Sequence, residues 1–235
     1  MELLAIWEGA AAARPDDRDD ALLAALPEPP ARSLSARNAS LLQLRARLFG
    51  PLQQLRSNCP ECGEIVEFAV DCDKLSRAAL PTRETGQEHR LTSGDYCIDF
   101  RVPDIVDVRQ ASSSADRAFE DALLNRCIGH ASRAGGECAL EELPAAVVRA
   151  LSERMEELEP GASFSFDVHC PGCGHSWSAP MNVGDVVWAE LQAHAERLLL
   201  DVDMLARTYG WSETAILGLG PTRRAAYLQL VGAAS

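Results

Sequence analysis

The apolar positions at the start of the chain recur with the period of an α-helix. The clearest stripe in residues 1–56 is formed by three leucines at spacings of three and four, Leu41, Leu44 and Leu48. A Gly50-Pro51 step follows this stripe and provides a stop signal. The pattern predicts a helical N-terminal region over 1–56.

The longest helical stripe lies near the other end of the chain. Its members are Val187, Leu191, His194, Leu198, Val202, Leu205 and Tyr209. This stripe predicts one helix over about 183–209, ended by Gly210. We interpret His194 as a core or interface histidine because it falls within the stripe. The prediction is a helical C-terminal region over 182–235 that packs with 1–56.

The central part of the chain changes to a period of two. Tyr96, Ile98 and Phe100 alternate with polar residues, as expected for a half-buried antiparallel strand. The same alternation predicts four strands, near 64–70, 95–102, 162–169 and 175–179. Helical periodicity returns between them and predicts an insertion over about 104–158. Its two helices are expected at about 114–128 and 143–158, joined by a loop at 129–139.

Two short cysteine strings bracket this insertion, CPECG at Cys59–Gly63 and CPGCG at Cys170–Gly174. Two Cys-x-x-Cys pairs supply the four thiolates that a tetrahedral structural zinc site requires. We therefore predict one structural Zn²⁺ held by Cys59, Cys62, Cys170 and Cys173. Cysteine turns at the ends of short strands are typical of a zinc ribbon, and such a clip closes residues 63–169 into a loop.

The predicted fold class follows from these patterns. It is α+β and mostly α, with a small antiparallel zinc ribbon, a helical insertion between its two knuckles, and helices at both termini. In terms of domains, residues 57–181 hold the ribbon and its insertion, between the helical regions 1–56 and 182–235.

Other ligand sets remain open at this stage. The four cysteines are alternatively buried or disulfide-linked thiols, and His169 or His175 is an alternative ligand because each flanks the second pair. Cys127-x-x-His130 with Cys138 imitates a second metal site, but small buried thiols are the simpler interpretation of Cys72, Cys97, Cys127 and Cys138.

Charge narrows the range of partners. The formal net charge is −13, with 22 Lys and Arg against 35 Asp and Glu. Binding to nucleic acid relies on clusters of basic residues, so the acidic balance argues against it. No apolar run reaches the length of a membrane span, and the start, MELLAIWEGAAA, lacks the basic region of a signal peptide. We expect a cytoplasmic protein, in which cysteines are more often metal ligands than disulfides.

The sequence carries no recognisable catalytic motif. It lacks a phosphate-binding loop, a dinucleotide glycine fingerprint, a nucleophile elbow and a His-Glu-x-x-His helix. A four-thiolate metal shell is closed to water and substrate, which also favours a structural role. We therefore expect no enzymatic activity and no small-molecule substrate.

Two surfaces are candidates for binding a protein partner. Aromatic and arginine side chains are favoured at interfaces, which makes Trp211, Arg223, Arg224 and Tyr227 candidate partner-binding residues. An acidic run, Glu153, Glu156, Glu157 and Glu159, is a solvated helix end or a surface for a basic partner.

Several short strings together resemble the T-even-type phage baseplate protein family. They are Trp7-Glu8, Asp17-Arg18, Arg37-Asn38, Leu48-Phe49-Gly50, CPECG, CPGCGHSW, Trp188, LARTYGWSE at Leu205–Glu213 and RRAAYLQLV at Arg223–Val231. The namesake of this family is a baseplate hub assembly chaperone, and zinc-ribbon relatives occur in tailed phages and contractile injection system clusters. The C-terminal string LARTYGWSE is the most specific, because cysteine knuckles occur in many unrelated families.

The resemblance implies a structural or assembly component of a phage tail-like baseplate, with other baseplate and tail proteins as partners. Such a component is expected in the cytoplasm or in an assembled tail-like particle. The alternative is a zinc ribbon that binds nucleic acid or associates with transcription, but the basic patch that this function needs is missing.

Overall fold

The computed structural model describes residues 2–28, 31–80, 87–113 and 118–233 of this chain. Its helices are α1 Glu2–Ala12, α2 Arg18–Leu23, α3 Leu34–Phe49, α4 Cys72–Ala78, α5 Ile105–Ser112, α6 Phe119–Cys127, α7 Ala145–Leu158, α8 Val183–Tyr209, α9 Glu213–Leu217 and α10 Pro221–Ala233. Its strands are β1 Leu52–Asn58, β2 Ile65–Asp71, β3 His89–Ser93, β4 Tyr96–Phe100, β5 Ile128–Arg133, β6 Gly136–Glu137, β7 Phe164–His169 and β8 Ser176–Met181. The predicted α+β, mostly helical class is confirmed.

The strands form three small antiparallel sheets. β1 pairs with β2, β7 pairs with β8, and β3, β4, β5 and β6 form a four-stranded sheet in sequence order. Each two-stranded sheet is a hairpin whose turn contains one cysteine string. The fold therefore places the two strings at the ends of two separate hairpins.

The chain divides into two compact units. The terminal unit comprises Met1–Ala25 and Gly184–Ser235, and the central unit comprises Leu26–Val183. Helix α3, which we expected in the N-terminal helical region, clusters with the central unit. The domain boundaries predicted from the sequence, which give the regions 1–56, 57–181 and 182–235, stay a prediction.

The core of the central unit forms where β4 and β5 meet α7. Its buried members are Ile98, Phe100, Val102, Ala131, Val147, Leu151 and Leu158. The apolar residues of β4 and those of α7 both face this cluster. Side chains return to the same face every two residues in a strand and every 3.6 residues in a helix, as the two sequence patterns predict. Leu151 is fully buried here.

A buried carboxylate ties the end of α7 to the start of α3. Glu159 is only 4% exposed, and it accepts hydrogen bonds from the Ser33 hydroxyl at 2.8 Å and the Ser35 backbone N–H at 3.1 Å. Glu153, Glu156 and Glu157 are exposed. The prediction of a solvated acidic helix end is therefore wrong for Glu159, whose carboxylate is buried and accepts a hydrogen bond from one of the N-terminal N–H groups of α3.

Within its described residues, the terminal unit consists of helices joined by short turns. In α8, Val187, Leu191, Ala195 and Leu205 lie on the buried side, as the stripe predicts. The guanidinium of Arg18 lies 4.6 Å from the centre of the Trp188 ring. None of the helices in the described part of the chain combines the length and apolar content needed to cross a bilayer.

Several elements differ from the sequence predictions. Residues 52–56, included in the helical region 1–56, form the first part of β1. The predicted loop at 129–139 contains β5 and β6, and the helices α4 and α5 were not predicted separately. Residues 114–117, where a helix was predicted to begin, lie outside the described residues. β1 reads LQQLRSN and β5 reads IGHASR, so neither has clear apolar alternation, and pairing with a neighbouring strand stabilises each of them.

Candidate metal centre

The two cysteine strings meet in the central unit. The Sγ atoms of Cys59, Cys62, Cys170 and Cys173 all lie within 4.8 Å of one another. Two pairs join the strings, because the Sγ atoms of Cys59 and Cys173, and those of Cys62 and Cys170, are each 3.6 Å apart. These are the four cysteines predicted from the sequence as metal ligands.

The two turns that carry the cysteines are built alike. In the first, the Cys59 N–H donates to the Glu64 carbonyl at 2.8 Å and the Gly63 N–H donates to the Cys59 carbonyl at 2.9 Å. In the second, the Cys170 N–H donates to the His175 carbonyl at 2.8 Å.

Both turns require a left-handed residue directly after the second cysteine. Gly63 and Gly174 each have φ of 77°, a conformation that glycine adopts without a Cβ penalty. Each CPxCG string therefore forms the same turn, and each turn orients the two sulfurs of its string in one direction.

The environment favours ionisation of one thiol of this group. Burial opposes ionisation of Cys59, but the backbone N–H groups of Cys62 and Glu61 point at its sulfur and lower its pKa to about 7. The His175 N–H lowers the pKa of Cys173, yet burial and the three neighbouring thiols raise it to about 12. Four thiols this close resist losing four protons in succession, and a cation among them removes that repulsion.

The donor set fits a tetrahedral metal ion. Metal–sulfur bonds of about 2.3 Å place the sulfurs of a tetrahedral zinc site about 3.8 Å apart, close to the 3.6 Å pairs found here. A disulfide needs about 2.05 Å, so the four cysteines are free thiols. Cys59 and Cys170 are buried, whereas Cys62 and Cys173 are exposed. The arrangement is compatible with a metal site of four thiolates.

The alternative ligands are not part of the cluster. His169 Nδ1 lies 3.1 Å from the Ser176 hydroxyl, and the His175 ring stacks on Trp177. Among the residues that the structure describes, Cys127, His130 and Cys138 form no second group of metal-ligating atoms. Burial raises the pKa of Cys127 to about 11, so this thiol stays protonated at neutral pH.

One neighbour of the cluster was missed in the sequence. The Glu64 carboxylate lies 3.8 Å from the Cys170 Sγ, and its oxygen occupies the space that a side chain at Gly172 would need. Glu64 follows Gly63 directly, but a sequence has no signal for a side chain that reaches across to the other string.

The candidate partner residues form part of an aromatic cluster in the terminal unit. Trp211 lies 4.9 Å from Tyr227 and 4.8 Å from Tyr209, measured between ring centres. Tyr209 was not among the predicted partner residues. Arg223 is exposed, whereas Arg224 pairs with Asp201 at 3.4 Å. The structure thus brings Trp211 and Tyr227 together, and their role in binding a partner stays a prediction.

A family profile described as T4 bacteriophage base plate protein matches residues 27–183. The chain belongs to this family. The match to the baseplate family covers almost the whole central unit, including both cysteine strings. Neither a curated protein nor a solved structure matches the chain.

The matched residues contain only some of the strings that carry the resemblance. LARTYGWSE, interpreted above as the most specific string, is not among them. That string, Trp7-Glu8, Trp188 and RRAAYLQLV lie outside the matched residues, whereas Arg37-Asn38, CPECG and CPGCGHSW lie inside. The family signal is therefore carried by the central unit.

Proposed function

We propose that this chain is a non-enzymatic structural or assembly component of a phage-like contractile tail or injection-system baseplate. Membership of the T4 baseplate family supports the baseplate role. The observation that carries the proposal is the position of the four-sulfur cluster, at the junction of two hairpins inside the matched residues.

The cluster is proposed to hold one structural Zn²⁺. A bound zinc ion supplies four strong bonds to thiolates and leaves no position open for water or substrate. The backbone N–H groups of Cys62 and Glu61 hold the Cys59 sulfur ready to ionise, and the two glycine turns fix the direction of all four sulfurs. The role of the cysteines is thus to join the β1–β2 hairpin to the β7–β8 hairpin.

These two hairpins together are proposed to form a zinc ribbon. Phe68 of β2 packs on Phe166 of β7 with ring centres 5.6 Å apart, and the Trp177 indole N–H donates to the Ser57 hydroxyl at 3.3 Å. Side-chain contacts therefore support the junction from within, while the cysteines close it at one end. Residues 63–169 then form a closed loop whose core is the sheet β3–β6 with α7.

The partners are proposed to be other baseplate and tail proteins. The net charge of −13 favours protein surfaces over nucleic acid, and the aromatic cluster of Tyr209, Trp211 and Tyr227 offers anchors of the kind found at interfaces. The protein is proposed to act in the cytoplasm during assembly, or to be incorporated in the finished particle.

The test is co-purification from cells that assemble the particle. A tagged full-length chain is expected to bring down sheath, hub or wedge proteins, identified by mass spectrometry, and Trp211→Ala is expected to weaken this association. Trp188→Ala is the control, because Trp188 packs against Arg18 away from the aromatic cluster. Absence of all these proteins from the purified complex, in cells that make intact particles, would contradict the proposal.

A further inference from the structure

A groove of about 590 Å³ opens in the central unit beside the two hairpins. It is lined by six consecutive residues of β2, by four of β7, and by two residues of α4, Lys74 and Leu75. The inner side of the groove is apolar, with Val66 and Phe68 from β2 and Phe166 from β7. Within the described residues, β2 pairs only with β1 and β7 only with β8. The groove therefore runs along two strand edges.

The hydrogen-bond register shows which backbone groups face this edge. In an antiparallel pair, residues that bond to the partner strand alternate with residues whose N–H and C=O point away from it. The Cys59 N–H bonds to the Glu64 carbonyl at one end of the β1–β2 hairpin, and the Cys72 N–H bonds to the Pro51 carbonyl at the other end. These two bonds determine which residues of β2 bond to β1. The alternate residues of β2, Glu67 and Ala69 among them, therefore present their backbone groups to the free edge.

The same argument applies to β7. The Cys170 N–H bonds to the His175 carbonyl, which places Val168 and Phe166 among the residues bonded to β8. Asp167, between them, then presents its N–H and C=O to the free edge. Glu67, Ala69 and Asp167 all line the groove. Regularly spaced backbone donors and acceptors beside an apolar surface match the chemistry of an extended polypeptide.

The charged residues that line the groove indicate which kind of polypeptide it would bind. The groove is lined by three carboxylates, those of Glu67, Asp71 and Asp167, and by one cation, Lys74. Lys74 pairs with Asp71 at 3.5 Å and Arg56 pairs with Glu67 at 2.8 Å, whereas Asp167 has no ion-pair partner in the described part of the chain. A second copy of this chain would bring the acidic edge of its own β2 or β7 against this one, so like charges would oppose that pairing.

We propose that the groove binds an extended segment of another protein, with alternating apolar and basic residues, which adds as a strand to the free edge of β2. The identification of that protein as a baseplate component rests on the proposed function. The binding chemistry itself rests only on the free edge, the apolar floor and the acidic lining. In this mode of binding, main-chain hydrogen bonds hold the two proteins together, and pockets for the side chains determine which partner binds.

A matched pair of variants isolates the edge. Ala69 and Gln54 face each other across the β1–β2 hairpin, and both are exposed. The backbone N–H of each points away from the hairpin, on opposite edges. Proline at either position removes one outward donor and no ladder bond. Only Ala69→Pro alters the edge that lines the groove, so Gln54→Pro is the control for any general effect on the hairpin.

The experiment is a titration of the full-length chain, followed by NMR of its backbone amides. The probe is a capped peptide of alternating lysine and valine, about seven residues long to match β2, compared with a peptide of alternating glutamate and valine. The lysine peptide is expected to give saturable shifts and slowed hydrogen exchange at the amides of Glu67 and Ala69. Ala69→Pro is expected to weaken binding about tenfold, and Gln54→Pro to leave it unchanged.

Three results would overturn the proposal. They are the absence of saturable shifts at Glu67 and Ala69, equal weakening by the two proline variants, and a concentration-dependent dimer of the chain that Ala69→Pro abolishes. Failure of the proposed function has a different signature. In that case the lysine peptide still binds at β2, while no baseplate protein co-purifies with the chain.

Discussion

At the residue scale, Asp107 shows how one carboxylate can connect three segments of the central unit. Its side chain is 3% exposed and accepts two hydrogen bonds from the Arg101 guanidinium, one of them at 2.8 Å. It also lies 3.3 Å from Arg126 Nε of α6 and accepts the Asp104 N–H at the start of α5 at 3.0 Å. The Arg101 hydrogen bonds outweigh burial, and the pKa of Asp107 falls to about 2.

We expect Asp107→Asn to destabilise the protein in a pH-dependent manner. A carboxylate with a lowered pKa in the folded state stabilises the fold above its ordinary value of 3.8, and this stabilisation is lost as the pH falls towards about 2. The variant should therefore lose about 2 kcal/mol of unfolding free energy at pH 7, with the difference shrinking below about pH 4.

Urea denaturation at a series of pH values measures this difference. Glu157→Gln is the control, because Glu157 and its partner Arg154 are exposed and such a surface pair contributes little. A difference between Asp107→Asn and the parent chain that stays constant down to pH 2 would show that the effect is not electrostatic.

At the scale of elements, the segment after α7 is fitted closely against α3 and α4. The Gly161 N–H donates to the Ser35 hydroxyl at 2.9 Å, and the Gly161 carbonyl accepts the Asn38 amide at 2.8 Å. A Cβ at Gly161 would lie 2.6 Å from the Ala79 carbonyl oxygen at the end of α4. Backbone atoms on both sides leave no flexible group that could move aside, so the close approach of these elements depends on glycine.

Gly161→Ala is accordingly expected to lower the free energy of unfolding by about 1–3 kcal/mol through overpacking. Thermal denaturation followed by circular dichroism measures the loss. Gly129→Ala provides a matched control in the same unit, because its added Cβ would meet the Asp99 carbonyl oxygen at an ordinary 3.7 Å. Equal stability of the two variants would mean that the contact with Ala79 relaxes at no cost.

At the scale of the whole molecule, the cysteine cluster brings together two segments that are distant in the sequence. It joins residues that are more than a hundred positions apart, and residues 63–169 lie between its two halves. Structural zinc contributes about 10–16 kcal/mol in small finger peptides, which is comparable to the whole stability of a domain. A zinc site of this strength would keep the two hairpins joined even if the hydrophobic core of the central unit contributed little stability.

Cys59→Ser and Cys173→Ser are therefore expected to bind less than one zinc per chain and to expose residues 63–169 to trypsin. Metal analysis of the purified chain and the rate of cleavage measure the two effects. Treatment of the parent chain with a chelator should reproduce the cleavage pattern, and added Zn²⁺ should reverse it.

Cys138→Ser is the control for these variants, because Cys138 is a half-buried thiol outside the cluster. One full zinc per chain and unchanged cleavage in the Cys59 and Cys173 variants would refute the structural role of the cluster.

The metal-site prediction illustrates what a local sequence pattern can determine. CPECG and CPGCG each contain the whole of one turn, including the glycine that its left-handed φ requires, so the geometry of each pair is decided within five residues. The helical stripes of α7 and α8 and the alternation of β4 were predictable for the same reason, since periodicity in a single segment specifies its buried face.

Only the tertiary structure decided the features that depend on residues far apart in the chain. β1 and β5 lack apolar alternation and form because neighbouring strands pair with them. Glu159 is polar and follows a charged run, yet it is buried because the start of α3 supplies donors for it. The free edges of β2 and β7 also come together only in the folded chain. The sequence by itself determined the cysteine turns and the apolar stripes, because the interactions that form them are local. Tertiary structure decided strand partners, buried charges and shared edges, because their energies arise from contacts that no single segment contains.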